Sequence, residues 1–306
     1  MAHRGRRVEA GLAEWAVTGF EGAMQDGILS IQSAVAYGHV GNSAAVFPLQ
    51  RLGFEVWPVH TVLFSNHTGY GAWRGRIVPL EWVEELVEGI ADRGAIPHVR
   101  AVLSGYLGDA SLGEAVLRVV ARVREARPDM LWACDPVMGD EGRGFFVKPG
   151  IPEFFRDRAV PAADLVTPNQ FELAWLADRA IDRLDDALAA AAAVRARGPR
   201  LVACTSLRLG VPGELAILAQ DGEGSWLCRT PDLPVTLSGT GDVFTALFLG
   251  AWLRTGRLDA TLEHAVAAMY ALVDATHRAG SRELELVAAQ DSLVSPPRRF
   301  PAARVA

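Results

Sequence analysis

From Gly27 onward, short apolar runs of strand length alternate with stretches of helix length, and this alternation constrains the fold more than any other feature. Ile28-Leu29-Ser30-Ile31 reads as a buried strand, and Gly38-His39-Val40-Gly41-Asn42-Ser43 as a glycine-rich turn into a helix ending near Gly53. Glu55 to Phe64 is a second strand run. Trp82, Val83, Leu86, Val87 and Ile90 share one helical face, Ala101-Val102-Leu103-Ser104-Gly105 is a short apolar strand, and Val116, Val119, Val120 and Val123 mark a helix stopped by Pro128. Strands at Met130–Cys134, Leu165–Val166 and Leu201–Cys204 follow, with an alanine-rich helix from Asp185 to Arg197. Leu215–Ala219 and Trp226–Cys228 read as a hairpin, and two long helices, from Gly239 and from Asp259, close the pattern. Strands separated by helices of about 10–15 residues imply an α/β fold, its mainly parallel sheet covered on both faces.

In such a sheet, ligands bind beyond the carboxyl ends of the strands. Polar residues gather there: Gln32-Ser33 after the first strand, Ser65-Asn66-His67-Thr68-Gly69-Tyr70-Gly71 after the second, and Gly105-Tyr106 after the third. Asp135-Pro136-Val137-Met138-Gly139-Asp140, Thr167-Pro168-Asn169-Gln170-Phe171-Glu172 and Thr205-Ser206 follow the next three. No internal repeat, low-complexity linker or composition shift divides the chain. Residues 27–296 therefore read as one domain, residues 297–306 as a tail, and residues 1–26 as an extension, either disordered or a mis-assigned start ahead of Met24.

Ser238-Gly239-Thr240-Gly241-Asp242 leads directly into the apolar run Val243 to Leu253. Glycines let backbone N–H groups crowd together, and a helix start leaves those donors unpaired, which attracts phosphate. An aspartate in that first turn reaches any hydroxyl brought up to the phosphate. The same residues also make an ordinary tight turn with an acidic first helical turn. The cradle reading carries a consequence: a Cβ at Gly239 or Gly241 should disturb it.

Half of the 306 residues are apolar and 22% are charged, so a large core is affordable. A net charge of −6 gives no basic footprint and argues against nucleic-acid binding. The three cysteines, Cys134, Cys204 and Cys228, are too scattered for a disulfide framework or a zinc site. No apolar run reaches membrane-spanning length, and the first residues carry arginines and glutamates without a signal-peptide core. The expectation is a cytoplasmic protein with no membrane contact.

Asp135-Pro136 is either a turn or a carboxylate aimed at magnesium-bound water or phosphate. Asn169 and Glu172 fall on one face of a helix start, where capping competes with ligand binding. Ser65-Asn66-His67-Thr68 is polar enough to favour ligand contact. His39 and His60 read as solvated or core-satisfied, and Arg298-Arg299 as a solvated end. Neither G-x-x-x-x-G-K-[ST], nor G-x-G-x-x-G after the first strand, nor a protein-kinase signature is present.

Taken together, the chain resembles the pyridoxal kinase family within the ribokinase-like superfamily, over roughly residues 27–296. Phe64-Ser65-Asn66-His67-Thr68 and Gly38-His39-Val40-Gly41-Asn42-Ser43-Ala44-Ala45 carry the family likeness. Ser30-Ile31-Gln32-Ser33, Leu103-Ser104-Gly105-Tyr106, Cys134-Asp135-Pro136-Val137-Met138-Gly139 and Glu285-Leu286-Val287-Ala288-Ala289-Gln290-Asp291 add to it, while Gly239-Thr240-Gly241-Asp242 marks the superfamily. The resemblance implies a three-layer α/β/α sandwich and transfer of phosphate from ATP to the 5′-hydroxyl of pyridoxal, with pyridoxine and pyridoxamine as further substrates. On that basis Asp242 would be the base, and the N–H groups of Gly239, Thr240 and Gly241 would hold the transferring charge. Ser33, Val40, Phe64, Thr68, Gly69, Tyr106 and Asp242 would contact the vitamer. Asp135, Thr167, Asn169, Glu172, Thr205 and Ser206 would lie along ATP, Asp135 and Glu172 acting through Mg²⁺ and water. The resemblance also implies a monovalent cation such as K⁺ and a homodimer.

Leu63 stands where family members often have Gln, Ser238 where a valine is common, and the segment Arg229–Leu237 is short. Thr205-Ser206 stands where some bacterial members have a lysine. Two other readings share these residues: a hydroxymethylpyrimidine kinase of the same fold, and a vitamer-binding carrier without turnover.

Overall fold

The computed structural model describes residues 25–306; the expected extension falls outside the described residues apart from Gln25 and Asp26. Asp26 is ion-paired with Arg127 at 2.8 Å. Ten strands form one sheet: β1 (Gly27–Val35), β2 (Glu55–Phe64), β3 (Gly75–Ile77), β4 (Val99–Ser104), β5 (Leu131–Cys134), β8 (Leu165–Val166), β9 (Leu201–Leu207), β10 (Glu214–Gln220), β11 (Ser225–Pro231) and β12 (Ala303–Arg304). Their order is β12-β11-β10-β9-β8-β5-β4-β1-β2-β3. The six strands from β9 to β2 run parallel, and antiparallel strands flank them at both edges. A separate small hairpin pairs β6 (Gly139–Asp140) with β7 (Gly144–Phe145).

The central strands are apolar on both sides because helices cover both sides. Leu29, Val102, Trp132, Val166 and Val202 face one layer, made by α2 (Leu80–Ala91), α3 (Ala110–Ala126), the short turns α4 (Ile151–Phe154) and α5 (Val160–Ala162), α6 (Gln170–Ala177) and α7 (Leu184–Arg195). Ile28, Ala101, Ala133, Leu165 and Ala203 face the other, made by α1 (Asn42–Arg51), α8 (Thr240–Thr255), α9 (Leu258–Ala279) and α10 (Gln290–Val294). The result is the expected three-layer α/β/α sandwich. No described helix is long and apolar enough to cross a membrane.

The chain reverses its direction across the sheet at β1, since β2 lies on one side of it and β4 on the other. That reversal opens a crevice at the carboxyl ends of these strands. Buried polar contacts fix the turn beside it: Ser30 donates to Asn42 Oδ1 at 2.7 Å, and Asn42 Nδ2 donates to the Ser30 and Val59 carbonyls at 3.2 and 3.1 Å. The start of α1, and with it the Gly38–Gly41 turn, is thereby pinned to β1.

Two expectations need correction. Strands β1 and β9 run on through Gln32-Ser33 and Thr205-Ser206, which belong to the strands rather than to loops after them. Arg298 and Arg299 are exposed, but the chain end is not free: Ala303–Arg304 pairs antiparallel with Trp226–Leu227, and Phe300 is only 5% exposed, its ring 4.8 Å from Tyr270. The Arg298 guanidinium lies over both rings, so an apolar pair and a cation–π contact draw the terminus in. Replacing Phe300 with alanine should lower stability by about 3 kcal/mol. Urea unfolding measures it, and a change of less than about 0.5 kcal/mol would mean that the terminus contributes nothing.

Candidate active site

A cavity of about 210 Å³ opens at the carboxyl ends of the strands. Ser33, Val40, Phe64, Thr68, Gly69 and Tyr106 line one part, from β1, the glycine-rich turn, the end of β2, the loop after it and the segment after β4. Asp135, Thr167, Asn169, Glu172, Thr205, Gly239, Thr240, Gly241 and Asp242 line the rest. Ser206 is not on the wall. The pairing of β9 with β10 slips between Leu207 and Cys204, and Ser206 has φ +59°. This bulge aims Thr205 at the cavity and turns its neighbour elsewhere.

Helix α8 begins at the wall. Its N-cap, Gly239, has φ +85°, and the first helical bond runs from the Val243 N–H to the Gly239 carbonyl at 3.0 Å. The N–H groups of Thr240, Gly241 and Asp242 are therefore left over at the positive end of a 16-residue helix. A Cβ on Gly239 would meet the His39 carbonyl oxygen at 1.9 Å, whereas one on Gly241 would meet only Asp135 Oδ2 at 3.6 Å. The expectation that a side chain at either glycine disturbs the turn thus divides. Position 239 is closed by backbone, and position 241 is open towards whatever occupies the cavity.

Four carboxylates line the cavity, Asp135, Asp140, Glu172 and Asp242. Glu172 is buried and fully engaged: Oε1 accepts the N–H groups of Met138 at 2.9 Å and Gly139 at 3.4 Å, and Oε2 that of Asn169 at 2.9 Å. Asn169 Oδ1 in turn accepts the Glu172 N–H at 2.9 Å, which completes a capping box on α6. Capping and cavity lining are one arrangement. Burial still pushes the Glu172 carboxyl up to about 8, against those donors. Asp135 is also buried, yet a 3.4 Å contact with the Thr245 hydroxyl is the only side-chain hydrogen bond it has among the described residues. Its carboxyl lies well above the usual range, through burial first and then the charges of Glu172 and Asp242. Enclosure pushes Asp242 up to about 6, opposed by the Gly41 N–H.

Thr245 was not singled out from the sequence. Its hydroxyl lies 2.8 Å from that of Thr167 and 2.9 Å from the Gly241 carbonyl, one turn below the cradle. A threonine within an apolar helix gives no sign of this at sequence level. His67, Arg143 and Phe146 also line the cavity. The last two come from the β6–β7 hairpin, where Gly142 and Gly144 have positive φ, so the Gly-Asp-Glu-Gly-Arg-Gly run was the available signal. Within the polar loop, Ser65 and Asn66 are structural instead: Arg74 N–H donates to Ser65 Oγ at 2.9 Å and Asn66 Nδ2 to the Ala72 carbonyl at 2.9 Å.

Gly239→Ala should therefore cost about 2 kcal/mol or more in urea unfolding, from strain at positive φ and displacement of the His39 turn. Gly241→Ala should stay within about 0.5 kcal/mol of the parent. Equal stabilities for the two variants would contradict the backbone contact.

Residues 55–286 match the family model described as phosphomethylpyrimidine kinase. The chain is 58% identical over 282 residues to a pyridoxal kinase PdxY of Rubrobacter xylanophilus, covering 91% of this chain and 97% of that one. It is 55% identical to a pyridoxal kinase PdxY of Deinococcus radiodurans, covering 91% and 96%. Among solved structures, pyridoxal kinase from Leishmania donovani in complex with ADP and pyridoxine matches with a TM-score of 0.86 and 32% identity, over 92% of this chain and 99% of that one. The Trypanosoma brucei pyridoxal kinase matches with a TM-score of 0.82 and 31% identity, over 92% and 100%. This chain therefore belongs to the family that the model describes and, within it, to the pyridoxal kinases.

Proposed function

We propose that the protein transfers the terminal phosphoryl group of ATP to the 5′-hydroxyl of pyridoxal, and of pyridoxine and pyridoxamine, as a homodimer. The observation that carries this reading is Asp242 beside three unpaired N–H groups at the start of α8, on the wall of a cavity large enough for a small ring. The Leishmania donovani enzyme is seen with ADP and pyridoxine, and with ADP and pyridoxamine.

In this reading the 5′-oxygen gives its proton to Asp242 and attacks the γ-phosphorus, while the bond to the β-phosphate oxygen breaks and ADP leaves. The N–H groups of Gly239, Thr240 and Gly241, the last two of them left over at the start of α8, take up the charge on the transferring group, the main way a protein accelerates this chemistry. Ser33, Val40, Phe64, Thr68, Gly69 and Tyr106 hold the vitamer. Thr167, Asn169 and Thr205 lie along the nucleotide, whereas Ser206 is off the wall.

Among the described residues, no group of three or more His, Cys, Asp and Glu side chains is arranged to hold a metal by itself. Mg²⁺ needs none: it keeps waters and takes one or two carboxylates together with phosphate oxygens. Asp135, buried and poor in donors, fits that role directly, whereas Glu172, with three N–H donors already, acts through water. Held there, Mg²⁺ would neutralise phosphate charge. A monovalent cation such as K⁺ belongs to the same reading.

Purified protein should form pyridoxal 5′-phosphate from ATP, Mg²⁺ and pyridoxal, and Asp242→Asn should lower kcat by about 10²- to 10⁴-fold while pyridoxal still binds. Faster turnover of hydroxymethylpyrimidine than of pyridoxal would make it a pyrimidine kinase. Binding without any product would make it a carrier.

The base must be ionised to act, and its carboxyl lies at about 6. Activity should therefore be full above that value and fall as pH drops through it, about tenfold per pH unit in kcat/KM. A kcat/KM flat from pH 7 down to pH 5 would exclude Asp242 as the base.

A further inference from the structure

We propose that Glu283 is a positioning residue for the vitamer side of this site, fastening the loop that carries Thr68 and Gly69 to the glycine-rich turn beside the phosphate cradle. This rests on the phosphoryl-transfer reading above. Glu283 lies beyond the end of α9, where Ser281 Oγ donates to its carbonyl at 2.7 Å and accepts its N–H at 3.2 Å. Its carboxylate then joins two distant parts of the chain. Oε2 accepts the His39 N–H at 3.0 Å, and Oε1 accepts the Tyr70 hydroxyl at 2.7 Å with His67 Nε2 at 3.4 Å. Gly38, at φ +91°, permits this approach: a Cβ there would fall 2.4 Å from Oε2.

Within the loop, the base and the tip are held differently. Ser65 and Asn66 fix the base through Arg74 and Ala72. At the tip, the His67 and Tyr70 rings pack at 4.6 Å and Arg282 lies over the Tyr70 ring at 5.0 Å. The tip's hydrogen bond to a distant segment runs from the Tyr70 hydroxyl to Glu283, and the Tyr37 ring lies 6.1 Å from that of Tyr70. Among the described residues, no arginine or lysine pairs with Glu283, and its side chain is 13% exposed. Its charge is satisfied by the loop and the turn, which makes these charge-assisted bonds strong and mutually dependent. The hydroxyl of Tyr70, pushed up to about 12 chiefly by its bond to Glu283, remains a donor through the working range. One carboxylate thus sets the distance between the wall that holds the ring and the turn whose His39 carbonyl abuts Gly239.

The test uses Glu283→Gln, Tyr70→Phe and the double variant on the whole protein. Glu283→Gln should raise KM for pyridoxal about tenfold, with kcat and KM for ATP within about twofold. Tyr70→Phe should move the same constant in the same direction, and the double variant should resemble Glu283→Gln alone, because both remove one contact. Hydrogen exchange at the Tyr70 and Gly71 amides should speed up about tenfold in each variant, with the start of α8 unchanged. An unaltered KM for pyridoxal, an equal loss for both substrates, or effects that multiply in the double variant would overturn the proposal. If the parent protein forms no product, the reaction assigned above has failed, and the exchange rates still report whether Glu283 fastens the loop.

Discussion

The site depends on one backbone-to-backbone contact. Gly239 stands so close to the His39 carbonyl that no side chain fits between them, and it does so in a conformation that favours glycine. The start of α8 and the Gly38–Gly41 turn are thereby a single piece. Asn42 ties that piece to β1, the Gly41 N–H reaches Asp242, and the His39 N–H reaches Glu283. The start of α8 and the facing wall of the cavity are held in mutual register without any side chain being spent on the contact itself. This is why the arrangement tolerates polar, half-exposed loops around it.

Two buried carboxylates and a third, half-buried one, in one cavity ought to be costly, since each loses hydration and each repels the others. The chain resolves this unequally. Glu172 takes three backbone donors and gives a helix its cap, so its charge is answered by the fold whether or not a ligand is present. Asp135 has a threonine hydroxyl that is shared with Thr167 and the Gly241 carbonyl. The difference in donors separates a carboxylate that organises the Asp135–Gly139 segment from one left with a single long hydroxyl contact. Asp242, opposed by a single N–H, falls between them, and a carboxyl near 6 is poised to exchange a proton near neutrality.

The architecture was legible because every core strand is apolar on both faces and the helices between them carry clear periodicity. The carboxyl-end segments were legible too, because Ser33, Thr68, Asp135, Glu172 and Asp242 each follow or end a readable strand or begin a readable helix. Where the reading stopped, the cause was physical. Strand ends are set by pairing partners, so Gln32-Ser33 and Thr205-Ser206 extend strands that hydropathy ended early. The bulge that turns Ser206 from the wall is a property of the β9–β10 register. Phe300 fell within the stretch read as a tail because the ring that receives it, Tyr270, is thirty residues away in the chain. Thr245 sat unremarked in an apolar helix, since one hydroxyl among leucines and phenylalanines has no periodic signature.

The same limit separates the two halves of the cavity. The phosphate half is built from a local motif, five consecutive residues at a helix start, so it can be read anywhere it occurs. The other half, which the proposed reading gives to the vitamer, is closed by Tyr70 and His39, which lie 213 and 244 residues from Glu283 and meet at its carboxylate. A local motif fixes which chemistry is available, because unpaired helix donors and an adjacent carboxylate are the same in any chain that has them. Long-range closure fixes the width and shape of the pocket in which that chemistry operates, and it can change without touching the reacting atoms. On the reading proposed above, substrate selection in this architecture resides in contacts such as those of Glu283, Tyr70 and His67, while the reaction resides in α8.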